Sequence, residues 1–195
     1  MYSIVHNHFE SLPSTATWAK ELVDQLDVNL VTLVTADEQT AGRGQFDQQW
    51  ISPPGNLYAT YCFAVPLGWD QVIHAAQLLS WSAAQVLMDF DLQPTLKWPN
   101  DLLIDGKKIA GVLCETVKNG ENLMVLDSIG LDINQPVETS QPTTSMTELV
   151  GHQDISAILE LLNKQFLADL AVYLEEGFGP FVHPFESLLE VGDND

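Results

Sequence analysis

The stretch LKWPNDLLIDGKKIAGVLCE, Leu96 to Glu115, decides the fold because it joins two strand-like runs through a hairpin signal. Asp105-Gly106 is a dipeptide that accepts the positive φ angles of a tight two-residue turn, and apolar residues gather on both sides of it. TLKWPNDLLI therefore reads as one strand and KKIAGVLCETV as the next. Asn119-Gly120 repeats the signal before a third run, NLMVLDSIGLDI. Three successive runs with short turns make an antiparallel meander.

Upstream of the meander, apolar residues from Val72 to Phe90 recur at helical spacing, predicting a long helix over 70–90 that packs on a sheet and ends before Pro94. At the N-terminus YSIVHNHF reads as a strand, SLPSTAT as a turn, and TWAKELVDQL as a short amphipathic helix with Thr15 or Thr17 as its cap. NLVTLVTAD and NLYATYCFAV read as buried strands. Between them lies EQTAGRGQFDQQWISPPG, a glycine- and proline-rich loop long enough to read as a binding loop. Downstream, VETSQPTTSMTELVG reads as a polar loop, ISAILELLNKQFLADLAVYLEEG as a helix closed by Gly177, and FVHPFESLLEV as a short terminal helix. This order lacks the regular alternation of a doubly wound parallel sheet. The expected class is α+β, a mixed and largely antiparallel sheet flanked by helices.

The chain has 195 residues, 46% hydrophobic and 9% aromatic, which suits one domain with a substantial core. No window approaches 18 uninterrupted apolar residues, and the start MYSIVHNHFE lacks the basic, then apolar, pattern of a secretory signal, so the expectation is a cytoplasmic protein. With 27 acidic against 7 basic residues and a net charge of -20, nucleic acid and anionic membranes are poor partners. The excess acid reads as a solvated surface. Cys62 and Cys114 lack CxxC spacing and read as small buried apolar residues.

The scarcity of positive charge makes its placement informative. Arg43 is the only arginine, and four of the seven basic residues fall in GRG and KWPNDLLIDGKK (Arg43, Lys97, Lys107 and Lys108), both at ends of expected strands. Glycines beside Arg43 let the backbone approach a ligand closely, and a guanidinium suits carboxylate or phosphate oxygens. In WPND, Trp98 and Pro99 stiffen the chain while Asn100 and Asp101 present polar groups able to orient a nucleotide or a metal ion. Each piece alone also reads as an ordinary solvated turn. His6 and His8 share one strand face, with no further ligands at metal-binding spacing.

Taken together, STATWAKEL from Ser14, DEQTAGRG from Asp37, WISPPGNLY from Trp50, LKWPNDLLIDGKKIAGVLCE from Leu96 and IGLDIN from Ile129 resemble the biotin protein ligases. These belong to a larger group that includes lipoate and octanoyl transferases, and KWPND followed by KIAG distinguishes the biotin enzymes within it. The resemblance implies a two-step reaction. Biotin attacks the α-phosphate of ATP, with Mg²⁺, to give biotinyl-adenylate and pyrophosphate; a lysine of a biotin carboxyl carrier protein domain, such as that of acetyl-CoA carboxylase, then takes the biotinyl group. By the same resemblance, Lys108 contacts the biotin carboxylate and α-phosphate, and Arg43 holds biotin and phosphate oxygens. Gly42 and Gly44 permit close approach, Ser14, Thr15 and Gln39 hydrogen-bond biotin, and Trp50 serves the adenine side. Lys97, Asn100, Asp101 and Gly111 complete the expected set, with Asp101 counted beside Lys108 and Arg43 as catalytic. No metal ligand is assigned.

The chain departs from the family pattern in its loop, where Gln45, Phe46, Asp47, Gln48 and Gln49 replace the further basic residues usual before the tryptophan. Weaker retention of the adenylate, or a loop ordered by a different partner, is the expected consequence. Ala16, Ser128 and Asp132 also depart from the residues usual at their positions. From where the sequence starts and stops, neither an N-terminal DNA-binding domain nor a C-terminal SH3-like β-barrel is expected. Relatives often pair through their sheets, which makes a homodimer an expectation to test. Two alternatives remain beside the biotin ligase: a lipoate or octanoyl transferase of the same fold, and a non-catalytic biotin-binding homologue.

Overall fold

The computed structural model describes residues 3–45 and 48–189; Tyr2, Phe46, Asp47, Glu190 and Val191, which the expected elements and loop include, lie outside them. Seven strands form one sheet: β1 (Ile4–Leu12), β2 (Val31–Gln39), β3 (Leu57–Pro66), β4 (Pro94–Lys97), β5 (Asp101–Ile104), β6 (Lys107–Asn119) and β7 (Asn122–Leu131), in the order β1-β2-β3-β7-β6-β5-β4. Only β1 and β2 pair in parallel; every other neighbour is antiparallel. The helices are α1 (Thr15–Glu21), α2 (Ala75–Met88), α3 (Met146–Val150), α4 (Ile155–Glu176) and α5 (Val182–Glu186). The mixed, largely antiparallel sheet with flanking helices is the architecture expected from the sequence.

Five local readings are corrected. TLKWPNDLLI is two strands rather than one: β4 and β5 pair with Lys97 opposite Asp101, and Trp98, Pro99 and Asn100 form the turn between them. The Asp105-Gly106 turn is as expected, with both residues at positive φ. The second turn is Gly120-Glu121, because Asn119 still pairs with Asn122 and only Gly120 takes positive φ. The helix expected over 70–90 begins as a 3-10 turn, Asp70–His74, and α2 stops well before Pro94. It ends in a Schellman arrangement: Asp91 sits at φ 59, its N–H donates to the Met88 carbonyl, and the Leu92 N–H donates to the Leu87 carbonyl. Pro94 opens β4 instead. Within the expected polar loop, Ser145 and Glu148 form a capping box that starts α3. Likewise the cap of α1 is Ser14, whose Oγ accepts from the Thr17 N–H.

Strand alternation gives the sheet two different faces. Odd-numbered residues of β3 and β7, such as Tyr61, Phe63, Val125 and Ile129, meet α2 and α4 through Leu78, Leu79, Phe166 and Leu170. The ring centroids of Tyr61 and Phe166 lie 4.4 Å apart. Each such fully buried side chain contributes roughly 1.5–3 kcal/mol. Even-numbered residues face α1, where Val34, Cys62, Met124 and Leu126 pack on Ala19 and Val23. That second core covers only part of its face. The remainder, over β6 and β7, is floored by Gly111, Ser128 and Gly130 and opens as a cavity.

Candidate active site

The cavity has a volume of about 410 Å³ and draws its walls from α1, β2, the glycine loop, the β4–β5 turn, β6, β7 and the segment after β7. Of the expected residues, Ser14, Thr15, Gln39, Arg43, Gly44, Trp50, Asn100, Asp101, Lys108 and Gly111 line it. Lys97 and Gly42 do not. Lys97 is exposed on β4. At Gly42, a Cβ would stand 2.3 Å from the Trp50 carbonyl oxygen and 2.6 Å from Ser52 Oγ, so its glycine is required by the packing of the loop on itself.

One end of the cavity is a chain of polar groups. The Thr15 N–H donates to Gln39 Oε1 at 2.9 Å and its hydroxyl does so at 3.3 Å, while Gln39 Nε2 donates to Ser52 Oγ at 2.9 Å. Thr60 Oγ1 donates to Thr15 Oγ1 and lies 2.9 Å from Ser128 Oγ. Thr60 and Ser52 were not among the expected site residues. Thr60 was detectable in principle as a polar residue in an otherwise apolar strand, on the face away from α2 and α4. Ser14 is 2% exposed and Thr15 3%, so this network is shielded from bulk water, and shielding strengthens each bond.

The other end holds charge. Lys108 Nζ lies 2.6 Å from Asp101 Oδ1 and 4.9 Å from the centroid of the Trp50 ring. Asn100 fixes the turn beside it: its side chain donates to the Val112 carbonyl, and the Val112 N–H donates to the Asn100 carbonyl. Asp132 is 2% exposed, accepts from Asn56 Nδ2 at 3.1 Å, and has its carboxyl pushed up to about 8 by burial, against the pull of Lys108. The segment after β7 closes this end, with the Lys108 N–H donating to the Pro142 carbonyl and the Thr144 N–H to the Lys108 carbonyl. The expectation of an undifferentiated polar loop missed that wall.

Arg43 is not free. It is held in a bidentate pair by Glu115, Nη1 to Oε2 at 2.9 Å and Nη2 to Oε1 at 3.1 Å, and Lys20 Nζ joins the same carboxylate at 3.0 Å. Burial opposes ionisation of Glu115, but the bonds from Arg43 and Lys20 outweigh it and hold the carboxyl below its usual range. Glu115 was not singled out as a site residue, and sequence could not supply the link: it lies 72 positions from Arg43 and 95 from Lys20. The glycine floor has an equally specific cause. A Cβ at Gly130 would meet Trp50 Nε1 and Cε2 at 2.4 Å, and one at Gly111 would meet Trp50 Cζ3 at 2.9 Å, so the indole lies flat across both residues. Its Nε1 is buried with no partner among the described residues.

Chemically, the cavity combines a shielded network of neutral hydrogen-bonding groups with two cations, Lys108 and Arg43, each already matched to a carboxylate. Such a site suits an elongated molecule with an uncharged polar head and an anionic tail.

Comparisons with known proteins identify the family and the fold. Residues 8–134 match the model of the biotin/lipoate A/B protein ligase family. The chain is 32% identical over 165 residues to the biotin–[acetyl-CoA-carboxylase] ligase of Paracoccus denitrificans, covering 75% of this chain and 66% of that one. It is 29% identical over 197 residues to the bifunctional ligase/repressor BirA of Bacillus subtilis, covering 96% of this chain but 60% of the relative's length. Among solved structures, the biotin protein ligase from Aquifex aeolicus in complex with biotin and ATP superposes with a TM-score of 0.79 at 26% identity, covering 97% of this chain and 79% of that one. No described helix is long and apolar enough to cross a membrane. By the matched motifs and the shared architecture, the chain belongs to the biotin/lipoate A/B protein ligase family.

Proposed function

We propose that the chain is an ATP-dependent biotin protein ligase that makes biotinyl-5'-AMP and passes biotin to a lysine of a biotin carboxyl carrier domain, that of acetyl-CoA carboxylase being the leading candidate. The convergence that best supports this reading is a shielded Ser14–Thr15–Gln39 polar group, suited to a ureido ring, lining one cavity with Lys108 and Arg43, cations suited to a carboxylate and phosphates.

In the first step, a carboxylate oxygen of biotin attacks the α-phosphorus of ATP, a P–O bond forms, and pyrophosphate leaves with its electron pair. Two anions must be brought together, so fixed cations and exclusion of water carry most of the catalysis. Lys108 is in place for the carboxylate and α-phosphate, and Arg43 for phosphate oxygens once these compete with Glu115. Trp50 and the 137–143 segment offer a surface for the base. In the second step, a lysine amine attacks the acyl carbon, the C–N bond forms, the acyl C–O bond to AMP breaks, and the amine gives up a proton. Asp101, beside Asn100 at the cavity rim, is the candidate to orient that amine. Magnesium fits as part of the nucleotide substrate. No group of three or more His, Cys, Asp or Glu side chains arranged for a metal occurs among the described residues, and phosphate oxygens would supply most of the ligands.

The deciding experiment is exchange of labelled pyrophosphate into ATP with biotin, octanoate or lipoate as the acid. Exchange with biotin alone supports the reading. Exchange with octanoate or lipoate instead moves the chain to the transferase side of its family, and silence with all three in a folded sample makes it a binding protein.

A further inference from the structure

We propose that the indole of Trp98, on the β4–β5 turn at the rim of the cavity, is the anchor on which the folded carrier domain docks. This rests on the ligase reading above and extends it to the acceptor. Trp98 is 66% exposed and is the one aromatic among the exposed large apolar side chains of the described residues. It does not line the cavity, whereas the three residues after it, Pro99, Asn100 and Asp101, all do. Nothing in the interior of the protein uses this side chain: among the described residues it makes neither an aromatic contact nor a hydrogen bond.

The turn that presents Trp98 is clamped at its base. Lys97 pairs with Asp101 across it, Asn100 is 6% exposed, and backbone and side chain of Asn100 both bond to Val112 of β6. A large side chain on a clamped turn loses little conformational freedom when covered, which is the property of an interface anchor. Ile51, 46% exposed, adds a second apolar group on the rim, from the loop that carries Trp50.

The occupant follows from position and charge. A lysine that reaches the acyl group must approach the Asp101–Lys108 end of the cavity, and Asp101 stands only three residues beyond Trp98, so the body of its protein comes to rest on this turn. With a net charge of -20 the chain offers no broad basic surface to steer a partner by charge, and the contact has to come from local apolar burial. Docking of this kind depends weakly on salt.

The test compares the unsubstituted chain with Trp98→Ser and Trp98→Phe. Biotin-dependent pyrophosphate exchange is read first, then transfer to a purified biotin carboxyl carrier domain over a range of its concentration, then solution mass. The expected result is unchanged exchange in both variants, a rise of about tenfold or more in the carrier KM for Trp98→Ser with kcat nearly constant, and substantial recovery in Trp98→Phe. Intact exchange with an unchanged carrier KM in Trp98→Ser overturns the docking proposal alone. A drop in solution mass that accompanies the loss of transfer also overturns it, by making the occupant a second copy of this chain. Absence of biotin-dependent exchange in the unsubstituted chain overturns the ligase reading, and docking with it.

Discussion

Two carboxyls five residues apart, Asp127 on β7 and Asp132 just beyond its end, are both almost fully buried, yet on opposite faces of the sheet they meet opposite circumstances. Asp132 faces the cavity, accepts from Asn56 and feels Lys108. Asp127 faces the main core, opposite Tyr61 of β3 and Cys114 of β6, and neither of its oxygens has a partner among the described residues. Burial pushes both carboxyls upward, and only at Asp132 does a cation oppose it. Burial alone is therefore a poor guide to function. A buried polar group becomes informative when the residues around it are arranged to use its charge.

The largest effect should come from the cation on the cavity side. Lys108→Ala removes the cation that pairs with Asp101 and opposes the burial of Asp132, and the developing negative charge of adenylation loses a fixed partner. Adenylation, measured by pyrophosphate exchange, should fall on the order of 10²–10³-fold, the scale for losing one preorganised charge-stabilising donor. The thermal midpoint should change little. Near-normal exchange in this variant would remove Lys108 from the site and leave Asp132 no better explained than Asp127.

On the core side the expected effect is smaller and of opposite sign. An unpartnered buried polar group costs roughly 1–3 kcal/mol, so Asp127→Val should stabilise the fold by about that amount. For a chain of this size that raises the midpoint by about 2–4 °C per kcal/mol, with exchange unchanged. A destabilised variant would mean that Asp127 has a partner, such as an ordered water, and that the two faces differ less than their geometry indicates.

How legible these differences are depends on the range over which they act. The turn at Asp105-Gly106, the strand character of β6 and β7, and the Gly177 end of α4 follow from neighbouring residues, and all were readable. The break between β4 and β5 was not, because each strand has four residues and TL…LLI reads equally well as one apolar run. The Ser145–Glu148 capping box was present in the sequence, but α3 buries only Met146, so no periodicity drew attention to it. Most of the expected site residues do line one cavity, because their motifs lie at the ends of adjacent elements that converge there. Their pairing is another matter. That Arg43 is held by Glu115, and that Gly130 and Gly111 are glycines because Trp50 lies across them, depends on contacts between distant segments that no local pattern records.

The subtlest difference between the faces should appear as a dependence on pH. In the unfolded chain Asp132 titrates at the ordinary value near 3.8, whereas in the fold it is pushed up to about 8. Between these values the folded state holds a proton that the unfolded state has released, so stability is fully present below about pH 4 and declines as pH rises toward 8. One such group contributes at most about 1.4 kcal/mol per pH unit. Asp127 adds a slope of the same sign, and Asp169, raised by burial on α4, adds another. Asp132→Asn cannot titrate but keeps an oxygen to accept from Asn56, so its unfolding free energy between pH 5 and 8 should fall less steeply than that of the unsubstituted chain. Denaturant melts at successive pH values measure both slopes. If they coincide, the Asp132 carboxyl is already ionised at neutral pH, held by Lys108 as a charge pair, and the cavity presents one more fixed negative charge to its anionic substrates than the geometry implies.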